Sequence, residues 1–167
     1  SRKKFTLRGL HYQEGKHSQA KLVSCLHGSI FNVAVDLRPG ETYGHAYGKI
    51  LSFENQRQMY IPRGFAHGYL TLEDYTLMQW CVDNDFCAEA ARAVRYESDF
   101  AWQTDAWPEG EYIVSEKDTN AENFHSLLPK VNKGGLIKIH IKLNRGIILC
   151  LEPKEAKTAP KSTSMHN

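Results

Sequence analysis

The sequence predicts a mostly-β fold, a sandwich or barrel built from many short strands. Apolar-rich runs of strand length recur along the chain, and glycine, proline, asparagine or aspartate residues separate them. Many short strands with turns between them are typical of sandwiches and barrels. The 167 residues, 41% of them hydrophobic, suit a single domain that buries a sizeable core.

The first half of the chain supplies most of the predicted strands. From Lys21 onward, two apolar-rich runs are separated by His27-Gly28, the pattern of a β-hairpin, and Pro39-Gly40 ends the second run. Further strands are predicted in four short runs, at residues 46–53, 58–62, 68–72 and 76–82.

The second half of the chain has weaker patterns. Residues 85–107 indicate a helical turn at most, and residues 115–129 indicate a short C-terminal helix that ends at Pro129. Alternation in residues 136–143, a turn at 144–146 and the apolar run after it predict a terminal hairpin. We therefore expect one domain over residues 1–152 and a disordered tail over residues 153–167.

Composition excludes several classes of partner. The 21 basic and 19 acidic residues are interspersed, so the sequence predicts no nucleic-acid binding. No apolar run approaches the roughly 20 residues that cross a bilayer, and no signal-peptide pattern opens the chain, so no membrane span and a cytoplasmic location are predicted. The four cysteines form no CxxC pair, which favours reduced thiols over a zinc site.

Candidate functional residues first appear in the segment RGLHYQ and in the Gln19-Ala20-Lys21 run that follows it. Arg8, His11 and Lys21 together could hold an anionic substrate beside a base. Strict alternation along a strand would place Arg8 and His11 on opposite faces. A shared site therefore requires a β-bulge, which Gly9 would permit.

A second candidate lies in the segment IPRGFAHGYL. Pro62 and Gly64 predict a turn that delivers His67 at the start of the next strand. A single histidine on a strand is more often structural than catalytic, so the functional reading depends on His67 and His11 occurring together.

Five ordered segments resemble one family. RGLHYQ, QAKLV, HGSIFNVAVDLR, ENQRQMYIPRGFAHGYLTL and SEKD lie in that order between residues 7 and 118. Together they resemble the dTDP-4-dehydrorhamnose 3,5-epimerase family. The resemblance implies a cupin jelly-roll β-barrel or sandwich with a short C-terminal helix, a homodimer, a nucleotide-sugar substrate and no cofactor. It also implies a role in deoxysugar biosynthesis of the O-antigen type.

The resemblance also implies roles for individual residues. His11 would remove a proton from the sugar carbon, Asp118 would orient the imidazole, and Lys21 would stabilise the enolate oxygen. A ketone at C4 acidifies the protons at C3 and C5, because either carbanion delocalises onto the ketone oxygen. The substrate would be held by five residues: Arg8, Gln19, His67, Trp80 and Phe86.

The sequence departs from the family where a tyrosine supplies the second proton. Trp80 stands at that position, and an indole N–H has no acid dissociation near neutral pH. The paired tyrosines that follow correspond to Asp85 and Phe86, of which Phe86 keeps an aromatic face for the nucleotide base. Three readings stay open: water or another residue supplies the proton, only one of C3 and C5 is inverted, or the protein binds a nucleotide sugar without turnover.

A metal-dependent cupin is the remaining alternative. The spacing of Pro62, Gly64 and His67 is similar to one half of the metal-cupin signature, but its other half needs a His-x-His pair and a glutamate. Here His11-Tyr12-Gln13 supplies one histidine only. The sequence therefore predicts no metal site.

Overall fold

The computed structural model describes residues 1–127 and the backbone of residues 149–151. Short strands are the main secondary structure of these residues, as the sequence predicts. The strands in these ranges are β1 Leu7–Gln13, β2 Lys21–His27, β3 Ser29–Asp36, β4 His45–Ser52, β5 Gln58–Ile61, β6 Phe65–Thr71, β7 Leu77–Val82, β8 Ala91–Ala93, β9 Ala101–Trp102 and β10 Leu149–Leu151.

Helical structure is sparse. The predicted C-terminal helix is confirmed as α1, Glu116–Thr119, and a 3-10 turn at Phe124–Leu127 follows it. Two further 3-10 turns lie at Gly15–His17 and Ala88–Ala90. Among the described residues, no helix has the length and hydropathy to cross a membrane.

The strands form two sheets. The larger has six strands in the order β8-β1-β6-β3-β4-β9, and the smaller has four in the order β10-β5-β2-β7. Neighbouring strands are antiparallel except for β4 and β9. This two-sheet architecture confirms the mostly-β, jelly-roll prediction.

The predicted hairpin around His27-Gly28 is wrong. Strand β2 pairs with β5 and β7, whereas β3 pairs with β4 and β6 in the other sheet. Gly28, with φ of 71°, carries the chain from one sheet to the other. All eight residues of β3 are buried because both faces of its sheet are covered, which explains the continuous apolar run there.

The interior has two apolar clusters, one on each face of the larger sheet. One fills the space between the sheets and includes Val23, Ile30 and Met59. The other covers the outer face of the larger sheet, where Leu10 and Phe31 meet the segment after β8. The larger sheet is therefore covered on both faces, and packing on each face restricts the side chains of its strands.

A β-bulge interrupts the pairing of β1 with β6. Arg8 lies opposite Tyr69 and His11 opposite His67, so an extra residue is accommodated on β1 between these two pairs. Gly9 lies in this interval with φ of 123°. The bulge that the sequence required is therefore present, and Arg8 and His11 lie on the same face of the sheet.

Two short strands were not predicted, and part of the chain lies outside the described residues. Residues 85–107 contain the expected helical turn, but β8 and β9 also add to the edges of the larger sheet. Of the predicted terminal hairpin only β10 is described, paired with β5. The rest of that hairpin and the predicted tail at residues 153–167 lie outside the described residues.

Candidate active site

A cavity of about 400 Å³ lies between the two sheets. The larger sheet contributes Arg8, His11 and His67, and the smaller sheet contributes Lys21 and Trp80. Arg8 and Lys21 therefore lie on opposite sheets and border the same space. Seven of the eight residues singled out from the sequence line this cavity: Arg8, His11, Gln19, Lys21, His67, Trp80 and Phe86.

The eighth residue, Asp118, lies directly behind His11. The distance between His11 Nε2 and Asp118 Oδ1 is 2.6 Å, and the Asp118 side chain is 1% exposed. A carboxylate oxygen accepts hydrogen bonds, so the imidazole donates from Nε2 and keeps its lone pair on Nδ1. The His11 side chain is 41% exposed, which leaves the ring open to a molecule in the cavity.

The local sequence explains how Asp118 is held. Ser115 caps the first turn of α1, and its Oγ accepts a hydrogen bond of 3.2 Å from the Asp118 backbone N–H. The second carboxylate oxygen of Asp118 accepts a bond of 3.3 Å from the Gly9 backbone N–H. The bulge in β1 and the helix cap therefore fix the carboxylate from both sides.

His67 is buried and neutral at physiological pH. Its Nε2 lies 2.9 Å from Asn32 Oδ1, while Asn32 Nδ2 donates to Met59 Sδ at 3.2 Å. Burial, and then the charges of Lys21 and His11, hold the pKa of His67 well below its usual value. His67 therefore donates from Nε2 to Asn32 and carries an acceptor lone pair on Nδ1.

Lys21 is the cation that the smaller sheet contributes to the cavity. It is half-buried at the start of β2, and burial lowers the pKa of its ammonium group. Among the described residues, no carboxylate forms a salt bridge with Lys21. An ammonium held in this way is available to a negative oxygen in the cavity.

Three predicted binding residues lie nearer the mouth of the cavity. Trp80, on β7, is 50% exposed, and Phe86, just beyond β7, is 75% exposed. Gln19 lies beside them, but its Nε2 donates to the Asn84 backbone oxygen at 2.8 Å and so joins two loops. The carbonyl oxygen and the second N–H of the Gln19 side chain are left for a ligand.

Sequence reasoning missed several residues of the site. Tyr69 lies two residues beyond His67 on the same face of β6, so strand alternation could have revealed it. Lys117, next to Asp118 in the chain, and Arg92, on β8, also line the cavity. Asn32 holds His67 from the neighbouring strand, and no sequence motif signals that contact.

In the part of the chain that the structure describes, no three histidine, cysteine, aspartate or glutamate side chains are grouped so that they could hold a metal ion. His11 is hydrogen-bonded to Asp118, and His67 to Asn32, so each Nε2 already has a partner.

The geometry suits abstraction of a proton from carbon. An oriented imidazole with an acceptor lone pair on Nδ1 lies on one sheet, and a partly desolvated ammonium lies on the other. Such a pair can remove a proton and stabilise the negative charge that develops on a neighbouring oxygen. The fold and the cavity together define a jelly-roll protein of the cupin type with a candidate site between its sheets.

Comparison with known proteins identifies the family. The family model for dTDP-4-dehydrorhamnose 3,5-epimerase matches residues 1–126. The chain therefore belongs to the dTDP-4-dehydrorhamnose 3,5-epimerase family. The Escherichia coli K12 protein of that description is 40% identical over 121 residues, which cover 69% of this chain and 62% of that protein.

Solved structures agree with this assignment. The Elizabethkingia anophelis dTDP-4-dehydrorhamnose 3,5-epimerase is 46% identical, with a TM-score of 0.68 over 74% of this chain and 68% of that one. A Legionella pneumophila 3,5-epimerase, solved in complex with dTDP-4-keto-L-rhamnose, is 40% identical with a TM-score of 0.68 over 75% and 69% of the two chains. The chain thus spans 62% of the length of its E. coli relative and somewhat more of these structures.

Proposed function

We propose that this protein is an epimerase of a nucleotide-linked 4-keto-6-deoxyhexose, acting at C3, at C5 or at both. The observation that carries the proposal is the 2.6 Å contact between His11 and the buried Asp118, on the opposite side of the cavity from Lys21. Membership of the dTDP-4-dehydrorhamnose 3,5-epimerase family supports it.

The proposed reaction begins at His11. Its Nδ1 takes a proton from the carbon next to the C4 ketone, and the electron pair of that C–H bond moves onto the ketone oxygen. Asp118 accepts the hydrogen bond from Nε2 and stabilises the imidazolium that forms. No cofactor is needed for this step, because the ketone of the substrate itself receives the electrons.

Lys21 is the group that we assign to the enolate oxygen. Its ammonium is partly desolvated and has no carboxylate partner among the described residues, so it is preorganised for a developing negative charge. An oriented charge of this kind contributes on the order of 3 kcal/mol to a transition state. Losing it should lower turnover more than binding.

The charge of the cavity supports a nucleotide-sugar substrate. Its lining has four basic side chains, Arg8, Lys21, Arg92 and Lys117, and one carboxylate, Asp85. A diphosphate group would be attracted to this excess of positive charge. Phe86 presents an exposed ring on which a nucleotide base could stack. The Legionella relative, solved with dTDP-4-keto-L-rhamnose, supports a thymidine nucleotide and a place in deoxysugar biosynthesis.

The test is deuterium uptake from solvent. Protein is incubated in D₂O with dTDP-4-keto-6-deoxyglucose, and NMR measures label and configuration at each carbon. We expect label at C3, at C5 or at both, with inversion at the labelled carbon. Label at one carbon alone would identify a single-centre epimerase, and no label would leave a nucleotide-sugar-binding protein.

We also propose that the protein is a homodimer, as the resemblance to the family implies. Apolar side chains of Leu26, Tyr60 and Leu77 are exposed on the smaller sheet, where a partner subunit could cover them. Light scattering should give twice the mass of the chain; the mass of a single chain would contradict the proposal. The cytoplasmic location stays a prediction.

A further inference from the structure

Inversion at a carbon needs a proton donor on the face of the sugar ring opposite the base. Trp80, where the family resemblance placed a tyrosine, lines the cavity but cannot supply a proton near neutral pH. If the proposed function holds, another group must give that proton. The question is therefore which dissociable group in the cavity can reach the second face.

Tyr69 has a phenol that opens into the cavity. Its side chain is half-buried on β6 and lines the same space as His11. Among the described residues, no group forms a hydrogen bond with its hydroxyl. In the described part of the chain, Arg95 Nε is the one buried side-chain nitrogen or oxygen without a hydrogen-bond partner. Because the Tyr69 hydroxyl also has no partner and is not in that group, it is accessible to solvent. A phenol of this kind is free to meet a ligand.

The register of the strands places Tyr69 diagonally from His11. His11 pairs with His67, and Tyr69 is the next residue of β6 on the same face. Diagonal neighbours on adjacent strands lie roughly 7 to 8 Å apart. A sugar ring can fit between two side chains at this separation, with one side chain on each face of the ring. His11 and Tyr69 can then meet opposite faces of that ring, while Lys21 approaches its edge from the other sheet.

Electrostatics keep the Tyr69 phenol in its proton-bearing form. Burial raises its pKa, the Asp118 carboxylate adds to the rise, and the Arg8 guanidinium opposes it. Arg8 lies directly opposite Tyr69 in the pairing of β1 and β6. The same guanidinium is placed to stabilise a phenolate once the proton has left.

We propose that Tyr69 is the catalytic acid that protonates the sugar carbon on the face opposite His11. The phenol O–H bond breaks as the new C–H bond forms, and the electron pair of the enolate returns from the oxygen to carbon. The phenolate then regains a proton from solvent, and the His11 imidazolium releases the proton that it took. The reaction leaves the protein unchanged.

The other phenol beside the cavity, Tyr12, does not meet the same requirement. It follows His11 directly on β1, so its ring lies on the opposite face and packs against the outer apolar cluster. Tyr47 provides a matched control, because it packs against the same inner cluster as Tyr69 but does not line the cavity.

The experiment compares Tyr69→Phe with Tyr47→Phe in D₂O and follows inversion and deuterium uptake separately by NMR. We expect Tyr69→Phe to lose inversion by about 100-fold or more, the usual contribution of a general acid. Deuterium should still enter the starting sugar with retention, because His11 exchanges its proton with solvent and returns it to the same face. Tyr47→Phe should match the wild type in both measurements.

Every other outcome overturns either the assignment of Tyr69 or the proposed function. Inversion by Tyr69→Phe at the wild-type rate overturns the assignment of Tyr69, as does loss of deuterium uptake in a variant that still binds dTDP. A wild-type protein that takes up deuterium without inversion overturns it too. A wild type that takes up none overturns the proposed function and this inference with it.

Should the variant fold poorly, the wild type alone gives a second test. The rate of inversion should fall relative to the rate of deuterium uptake as rising pH ionises Tyr69. A constant ratio of the two rates would contradict the proposal.

Discussion

At the scale of single residues, the site depends on which nitrogen of each histidine carries the proton. His11 donates from Nε2 to Asp118, and His67 donates from Nε2 to Asn32. Both rings therefore carry an acceptor lone pair on Nδ1, but they differ in burial. The His11 side chain is 41% exposed, whereas burial holds the pKa of His67 well below its usual value. In the proposed reaction one imidazole can therefore take a proton while its neighbour stays neutral.

The lowered pKa of Lys21 leads to a prediction about pH. The ammonium is present below its folded-state pKa and is lost as pH rises through it, so a reaction that needs this charge should fail at a lower pH than an ordinary lysine would allow. In Lys21→Arg the guanidinium stays charged, so we expect slower deuterium uptake whose alkaline limb moves to higher pH. The measurement is the pH profile of uptake.

The control for this prediction is Lys3→Arg, since Lys3 is exposed and does not line the cavity. That variant should keep the wild-type profile. An alkaline limb that does not move in Lys21→Arg would show that some other group sets it, and the role of Lys21 would then be wrong.

At the scale of elements, the bulge in β1 brings the residues of the candidate site to one face of the sheet. A Cβ atom on Gly68 would lie 2.8 Å from the Arg8 backbone oxygen and 2.7 Å from Leu10 Cδ2, so β1 and β6 approach closely there. The same interval turns Arg8 and His11 to one face and directs the Gly9 N–H to Asp118. Gly68 therefore allows the close approach of β1 and β6, and Gly9 allows the bulge that places His11 beside Asp118.

We expect Gly68→Ala to destabilise the protein by about 1 to 3 kcal/mol, because backbone must move to accept the methyl group. It should also weaken dTDP binding, since His67 and Tyr69 flank this position. Urea unfolding and calorimetry measure the two effects. Gly15→Ala is the comparison: nothing lies within 4 Å of the added Cβ, and its positive φ alone should cost roughly 1 kcal/mol. Equal stability of Gly68→Ala and the wild type would contradict the account of the bulge.

Strand positions could be predicted from local patterns, but strand partners could not. The runs that became β2 to β7 are apolar segments bounded by turn residues, and this pattern is local. Which sheet β3 joins depends on β4 and β6, whose pairing no local pattern records, so the hairpin at His27-Gly28 was predicted wrongly. The strands β8 and β9, of three and two residues, are too short to show any periodicity.

At the scale of the whole molecule, two sheets each supply half of the candidate site. The base and its carboxylate belong to the larger sheet and the turn behind it, and the lysine belongs to the smaller sheet. Family resemblance found these residues because they lie in recognisable segments. It did not find Tyr69 or Asn32, whose roles arise from neighbouring strands and from the face they share with His67.

The central claim is that His11 removes a carbon-bound proton, and His11→Asn tests it most directly. The substitution keeps a polar side chain of similar size but removes the base. We expect deuterium uptake from D₂O into the 4-keto sugar to fall at least 100-fold, the lower end of what a general base contributes, while dTDP binding measured by calorimetry changes by only a few fold. Uptake by His11→Asn at the wild-type rate would contradict the account.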